Sequence, residues 1–297
     1  VSTIEWLDRV RPEDIAAVDA MLDRVSATDG VSSLSEHSYL HLLAGGGGDE
    51  RHGVVRREHG IVGYAFVSGD DDPVAEFLVD PAARGDGLGA AMLAEILEVA
   101  GPRVRIWAHG QLPAAEAIAI AAGMRPVRRL CRYTRSLADP PQVPLPVGVT
   151  VRRFAPADTQ AWLALNAEAF VDLPDQGSWT RDDLEERVAQ PWFDPEGFLL
   201  AFDADGLVGF HWTKVHGGAA HPHGRTGEVY VLAVAARARG TGLGSALTAL
   251  GLHYLEGLGL STVMLYVDLR NAGAVAMYER LGFTRADCDV QFALSPG

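Results

Sequence analysis

Two cysteines, Cys131 and Cys288, are all the thiols in this chain of 297 residues. Neither sits in a metal or redox spacing, and two thiols build no disulfide scaffold, so a cytoplasmic setting is expected. No apolar run approaches the roughly 20 residues of a bilayer span, which argues against a membrane partner. Residues 1–8 hold no basic segment followed by an apolar stretch, so no signal peptide is expected. Excess positive charge is also absent: the formal net charge is −14. Such an acidic body repels phosphate backbones, which argues against nucleic acid as a partner, and attracts a protonated amine. What is present is a globular composition, 48% hydrophobic and 22% charged, in a chain long enough for two ordinary domains. A monomer is expected.

The chain repeats itself. Arg84-Gly85-Asp86-Gly87-Leu88-Gly89 recurs as Arg239-Gly240-Thr241-Gly242-Leu243-Gly244, about half the chain later. An apolar, β-prone run precedes each copy, Val74 to Val79 and Val229 to Val234. After each copy, apolar residues fall at helical spacing: Leu88, Met92, Ile96 and Val99, then Leu243, Leu247, Leu250 and Tyr254. Each half therefore reads as strand, glycine turn, helix. Upstream, each half predicts a hairpin, turning at Glu58-His59-Gly60 and at Asp203-Ala204-Asp205-Gly206. Before the hairpins come helical stretches, Pro12 to Val25 and Pro156 to Phe170. The proline-rich stretch 138–146 can neither continue a helix nor sit inside a sheet. It is read as a linker between an N-terminal domain, 1–137, and a C-terminal domain, 147–297. Gly45 to Gly48 reads as a flexible loop.

A glycine turn between strand and helix suits an anion. The first N–H groups of a helix lack intrahelical acceptors and carry the positive end of the dipole. Glycine lets the backbone approach without a Cβ in the way, and arginine adds charge. One such turn is compatible with a plain tight connection; two in matching contexts point to a diphosphate. Arg-x-x-Gly-x-Gly after an apolar strand resembles the acetyl-CoA motif of the GNAT acetyltransferases. That superfamily's second signature is matched by Asn271-Ala272-Gly273-Ala274-Val275-Ala276-Met277-Tyr278-Glu279-Arg280-Leu281-Gly282-Phe283.

The resemblance implies an α/β (α+β) fold of two tandem GNAT domains, each a mixed twisted sheet flanked by helices. A splay between two central strands would hold the pantetheine of acetyl-CoA. The cosubstrate would lie along Leu232, Ala233 and Val234, Arg239 to Ser245 (Gly240, Thr241, Gly242, Leu243 and Gly244 between them), and Asn271, Ala272, Gly273, Ala274, Val275 and Ala276. A second molecule would lie along Phe77, Leu78, Val79, Gly85, Asp86, Gly87, Leu88, Gly89 and Ala90. Tyr278 would be the general acid: a phenol near pKa 10 can return a proton to a leaving thiolate. Glu228, at the strand leading into the second turn, would be the general base. Aligned on Gly123 and Gly282, the first half has Ala119 where Tyr278 stands and Leu112 where Asn271 stands. The first half is therefore expected to bind acetyl-CoA without turnover.

Further segments narrow the resemblance to the mycothiol synthase family of tandem GNAT enzymes. They include Asp175 to Thr180, Trp192 to Gly197, Gly209 to Val215, Glu228 to Val231, Leu265 to Asp268 and Trp107 to Gly110. That family acetylates the cysteinyl amine of Cys-GlcN-Ins. Carried over, Glu36, Asp175, Lys214, Glu228 and Tyr266 would contact this substrate; Asp175 stands where the family often has glutamate. Carboxylates accept hydroxyl hydrogen bonds and lysine donates them, which suits a hydroxyl-rich acceptor. Neither cysteine has the paired histidine of an acyl-enzyme route, so direct transfer is expected. His216, His221 and His223 are expected to be solvated rather than metal-binding, and no metal is expected. The alternatives are a GNAT enzyme for another amine (an aminoglycoside, a polyamine or a protein N-terminus) and an acyl-CoA-binding regulator without turnover.

Overall fold

The computed structural model describes residues 4–58, 60–217 and 225–295, the side chains of residues 174 and 175 excepted. The chain divides into two units. The first holds Val1–Cys131, Asp268–Arg270 and Asp287–Gly297; the second holds Arg132–Val267 and Asn271–Ala286.

In the first unit the strands β1 (Glu5–Leu7), β2 (Arg51–Arg57), β3 (Gly60–Ser68) and β4 (Val74–Val79) pair antiparallel in sequence order. Then β4 turns parallel to β5 (Arg105–Ala108). Period-2 alternation sends neighbouring residues to opposite faces. Val54, Tyr64 and Phe66 pack under the helices α1 (Pro12–Asp29) and α2 (Glu36–Ala44) with Val18, Met21 and Leu42. Val55, Ala65 and Val67 pack on the other face, under α3 (Leu88–Ala100) and α4 (Pro113–Ala121), with Met92, Leu93, Ile96 and Ala119. Helix α1 begins at the expected proline and runs past Val25 to Asp29, where Gly30 closes it in the left-handed region, φ +74°.

In the second unit a 3-10 turn at Pro156–Asp158 precedes α5 (Thr159–Ala169), which divides the single helix expected there. The short α6 (Pro174–Gly177) and α7 (Arg181–Val188) follow. The strands β7 (Thr150–Arg153), β8 (Phe198–Asp203), β9 (Gly206–His216) and β10 (Thr226–Val234) again pair antiparallel in order. Then β10 runs parallel to β11 (Thr262–Asp268). The hairpin turns where aspartate and glycine place it, with Asp203 facing Gly206. Helix α8 (Leu243–Gly257) covers the sheet through Leu243 and Leu247. Trp162, Phe198, Phe210 and Trp212 form a fully buried aromatic core, with Trp212 stacked on Phe198 at 4.4 Å. After β11 comes α9 (Ala272–Arg280).

The last strand of each half departs from the sequence-based division. From Asp287 on, β12 (Thr284–Leu294) belongs to the first unit, where Val290–Ala293 pair antiparallel with Ala108–Arg105 of β5. Conversely β6 (Met124–Ser136) enters the second unit at Arg132, and just beyond it Leu137 N–H donates to the Ser261 carbonyl at 2.9 Å. The proline-rich stretch is free of helix and strand over 140–146, yet both terminal strands pair on the far side of it in sequence. Strand pairing is a long-range choice, which a local break does not report. Cys131 and Cys288 are both buried and joined as a disulfide. Their separation of 157 residues carries no local signal, so the expectation that two thiols build no disulfide scaffold does not foresee this bond.

Among the described residues, no helix is long and apolar enough to cross a membrane.

Candidate active site

The parallel ladder between β10 and β11 is short. Gly227, Glu228 and Val229 pair with Val263, Met264 and Leu265, and there the pairing stops while both strands continue. At the same place the register of β10 on β9 shifts between Val229 and Val231, a bulge at Tyr230. A bulge bends and twists the strand that carries it. The result is a splay: beyond Val229, alternate N–H groups of β10 face a gap instead of a ladder partner. Leu232, Ala233 and Val234 lie on this stretch. The first unit opens in the same way, for β4 and β5 pair only at Val74–Arg105 and Ala75–Ile106. There Phe77, Leu78 and Val79 lie beyond the last pair, but β4 runs against β3 without a bulge.

The splay leads to the glycine turn. Gly240 and Gly242 have φ +79° and +90°, and a Cβ on either would meet nothing within 4 Å. Their backbone conformation demands glycine, and the space outside is open, as an anion cradle requires. Gly242 is the N-cap of α8, so the N–H groups of Leu243, Gly244 and Ser245 start the helix without intrahelical acceptors. The third glycine serves helix packing instead. A Cβ on Gly244 would meet Met277 Sδ at 3.1 Å, so its absence lets α9 close on α8. The first unit repeats this, with Gly85 and Gly87 at φ +91° and +78° in open space and Gly89 against Ile118 of α4. The arginines differ. Arg84 is held by Asp29 through two hydrogen bonds of 2.7 and 2.8 Å. Arg239 is exposed and has no side-chain partner among the described residues.

Asn271 caps α9, its side chain accepting from Ala274 N–H at 3.1 Å. Ala272, Gly273, Ala274, Val275 and Ala276 form the first turns of that helix. Tyr278 follows on it, buried, with its ring 5.6 Å from Phe283. Burial pushes its phenol well above the ordinary tyrosine pKa, and its hydroxyl has no hydrogen-bond partner among the described residues. The hydroxyl is also not a fully buried unpaired atom, so it borders open space. In the first unit α4 occupies the place of α9. Its N-cap Leu112 makes no side-chain cap, and its Ala119 is buried. The phenol and the capping amide are therefore both lacking at the matching positions of that half.

Glu228 is buried at the mouth of the splay, on the last rungs of the parallel ladder. Directly across the antiparallel pairing stands Lys214, the chain's single lysine. The Lys214 ammonium lies over the rings of Trp192 at 4.3 Å and Tyr230 at 4.9 Å, a cation–π seat that favours a cation out of water. Burial pushes the Glu228 pKa up, but His216 and Lys214 outweigh it and hold the carboxyl below its ordinary range. Tyr266 lies exposed on β11, next to Leu265 of the last parallel pair. Glu36 opens α2 in the first unit. The side chain of Asp175 lies outside the described residues, as do His221 and His223.

Sequence reasoning missed two constellations. His216, expected in a solvated cluster, is partly buried with Nε2 2.5 Å from Glu228 Oε2. In the first unit His109 lies between two carboxylates, Asp289 at 3.1 Å and Glu76 at 3.8 Å. Burial alone would lower the His109 pKa; Asp289 and Glu76 overcome it and hold it up to about 10. Glu76 also accepts the N–H of Ser35, the residue that caps α2 just before Glu36, at 2.7 Å. A histidine in the flagged segment Trp107 to Gly110 was the one available hint of this group. Among the described residues no group of three or more His, Cys, Asp or Glu side chains could hold a metal ion.

Two units, each with a strand splay beside a glycine turn, define a tandem GNAT acetyltransferase. Residues 160–283 match the acetyltransferase (GNAT) family and residues 48–121 match a further acetyltransferase (GNAT) domain. Among curated proteins, a mycothiol acetyltransferase of Thermobispora bispora is 49% identical over 286 residues, 96% of this chain and 97% of that protein. Another, from Streptomyces coelicolor, is 46% identical over 301 residues, 98% of this chain and 94% of that one. The chain belongs to the mycothiol acetyltransferase family. Of solved structures, a tandem GNAT protein from the clavulanic acid biosynthesis pathway covers 99% of this chain and 100% of its own at TM-score 0.74 and 19% identity, a likeness of fold.

Proposed function

We propose that the second unit transfers the acetyl group of acetyl-CoA directly to the cysteinyl amine of Cys-GlcN-Ins, with Glu228 as general base and Tyr278 as general acid. The observation that carries this reading is the path of β10. It bears the buried Glu228 one residue before the last parallel pair, opens beyond Val229 into the splay, and ends at the open glycine turn. Acetyl-CoA supplies an activated acyl carbon and a thiolate leaving group. Arg239 and the N–H groups of Gly240 to Ser245 hold its diphosphate; the first turns of α9 flank it. The N–H of Leu232, or of its neighbours Ala233 and Val234, donates to the acetyl oxygen as negative charge develops there. Glu228 takes the proton that the attacking nitrogen must lose, and Tyr278 gives one to the departing sulfur. Holding both reactants in line supplies much of the acceleration.

Lys214 and Tyr266 contact the acceptor, whose hydroxyls suit a lysine donor. The test is acetylation of Cys-GlcN-Ins beside an aminoglycoside, a polyamine and a peptide N-terminus under one set of conditions. Cys-GlcN-Ins is expected to show the highest kcat/KM. Preference for another amine would move the acceptor while keeping the chemistry; acetyl-CoA binding with no amine acetylated would make the protein a regulator.

The first unit holds a second acetyl-CoA that is not turned over. The same splay and the same open, left-handed glycines support binding there, and alanine at position 119 leaves no acid. Because Asp29 engages Arg84, the turn's N–H groups carry the diphosphate. Native mass spectrometry with excess acetyl-CoA is expected to count two molecules per chain; saturation at one would exclude the second site.

A further inference from the structure

His216 lies two residues beyond Lys214 on β9, and β10 brings Thr226 opposite it and Glu228 opposite Lys214. Lys214 and His216 thus share one face of β9, Lys214 directly across from Glu228 and His216 its diagonal neighbour. His216 Nε2 reaches Glu228 Oε2 at 2.5 Å. The imidazole is 30% exposed and the carboxylate 9% exposed at the side chain, so the ring spans from a buried base to solvent. The charged groups acting on Glu228 are His216 and Lys214. Of these two residue types, only the imidazole belongs to the class that ordinarily changes charge between about pH 5 and 8.

We propose that His216 is a positioning residue for the acetyl-transfer step, which aims one oxygen of Glu228 at the acceptor amine and sets how strongly that carboxylate binds a proton. The proposal rests on Glu228 being the general base. A carboxylate can only accept, so Nε2 carries a hydrogen whether the ring is neutral or charged. With Nδ1 protonated, a full positive charge sits against Oε2 and weakens the base. With Nδ1 free, the same N–H still holds the carboxylate in place, its other oxygen is left to accept the ammonium proton, and the base is stronger. The ammonium loses that proton to Glu228, the nitrogen forms its bond to the acyl carbon, the carbon–sulfur bond breaks and the thiolate takes the Tyr278 proton, and the second proton leaving the nitrogen restores the phenol; His216 loses and gains no atom. Its effect is on orientation and on basicity.

His216→Gln keeps a donor beside Glu228 but cannot titrate. The ratio of kcat/KM, wild type over His216→Gln, measured from pH 5 to 9, cancels the titration of the acceptor amine, which both enzymes share. The ratio is expected to rise with pH to a plateau. A ratio that is flat across the range overturns the proposal. His216→Asn, which also cannot titrate, gives the same reading where the glutamine variant fails to fold. Glu228→Gln is measured alongside. Full activity in that variant defeats the assignment of the base, and the proposal with it; an inactive Glu228→Gln beside a flat ratio defeats the role of His216 alone.

Discussion

Glu228→Gln is expected to lower kcat for acetylation of the amine by roughly 10²–10⁴-fold, the range for a positioned general base, with acetyl-CoA binding unchanged. The glutamine is isosteric, so packing at the buried position is kept, and its carbonyl oxygen can still accept from His216. What is lost is proton affinity. The acceptor amine arrives largely protonated at neutral pH, since an α-amino group has a pKa of roughly 8, and only its neutral form attacks. The sign with pH follows from the depressed Glu228 pKa. Its carboxylate is ionised throughout the neutral range and is lost as a base only when the pH falls through a value below the ordinary glutamate range. Any acid limb nearer neutrality in the wild-type profile therefore belongs to a group other than Glu228. Steady-state kinetics with a thermal unfolding control decide the point. A folded Glu228→Gln enzyme within a few-fold of wild type would remove Glu228 from the chemistry.

Tyr278→Phe is expected to lower kcat by roughly 10²-fold, the low end for a general acid, with the KM for both substrates little changed. Phenylalanine keeps the ring contact with Phe283. Because the hydroxyl has no partner among the described residues, its removal orphans no buried group, and folding should be nearly unaffected. The raised pKa has a consequence of its own: the phenol stays protonated across the working range and contributes no basic limb to kcat. It also makes the phenol a reluctant acid, so its proton moves only as charge builds on sulfur, late in the reaction. Pre-steady-state release of CoA thiol reads this step. An unchanged rate of thiol release in Tyr278→Phe would end the assignment.

The asymmetry of the two halves is legible in the amino-acid order, because it resides in single residues at fixed offsets. Ala119 against Tyr278 and Leu112 against Asn271 follow from aligning two glycines, and α4 and α9 take matching positions in the fold. The bulge at Tyr230 is not legible there. A bulge is a mismatch of two strands, and nothing in either strand alone marks it. His216 is hidden for a related reason: in the sequence it belongs to a histidine-rich loop, whereas in the fold it belongs to Glu228, twelve positions along the chain and a diagonal step across the sheet.

Local chemistry is what the amino-acid order determined by itself: glycine turns at two helix starts, the apolar strands that lead into them, and hairpins at two glycine-bearing turns. Each depends on residues within one turn or a few positions of one another, so the code for it is short. Tertiary structure alone decided the exchange of the terminal strands, the pairing of Cys131 with Cys288, the seat of Lys214 over Trp192 and Tyr230, and the contact of His216 with Glu228. Those follow from strand order and register, which are settled by the summed burial of distant residues, and no short stretch of chain holds that sum.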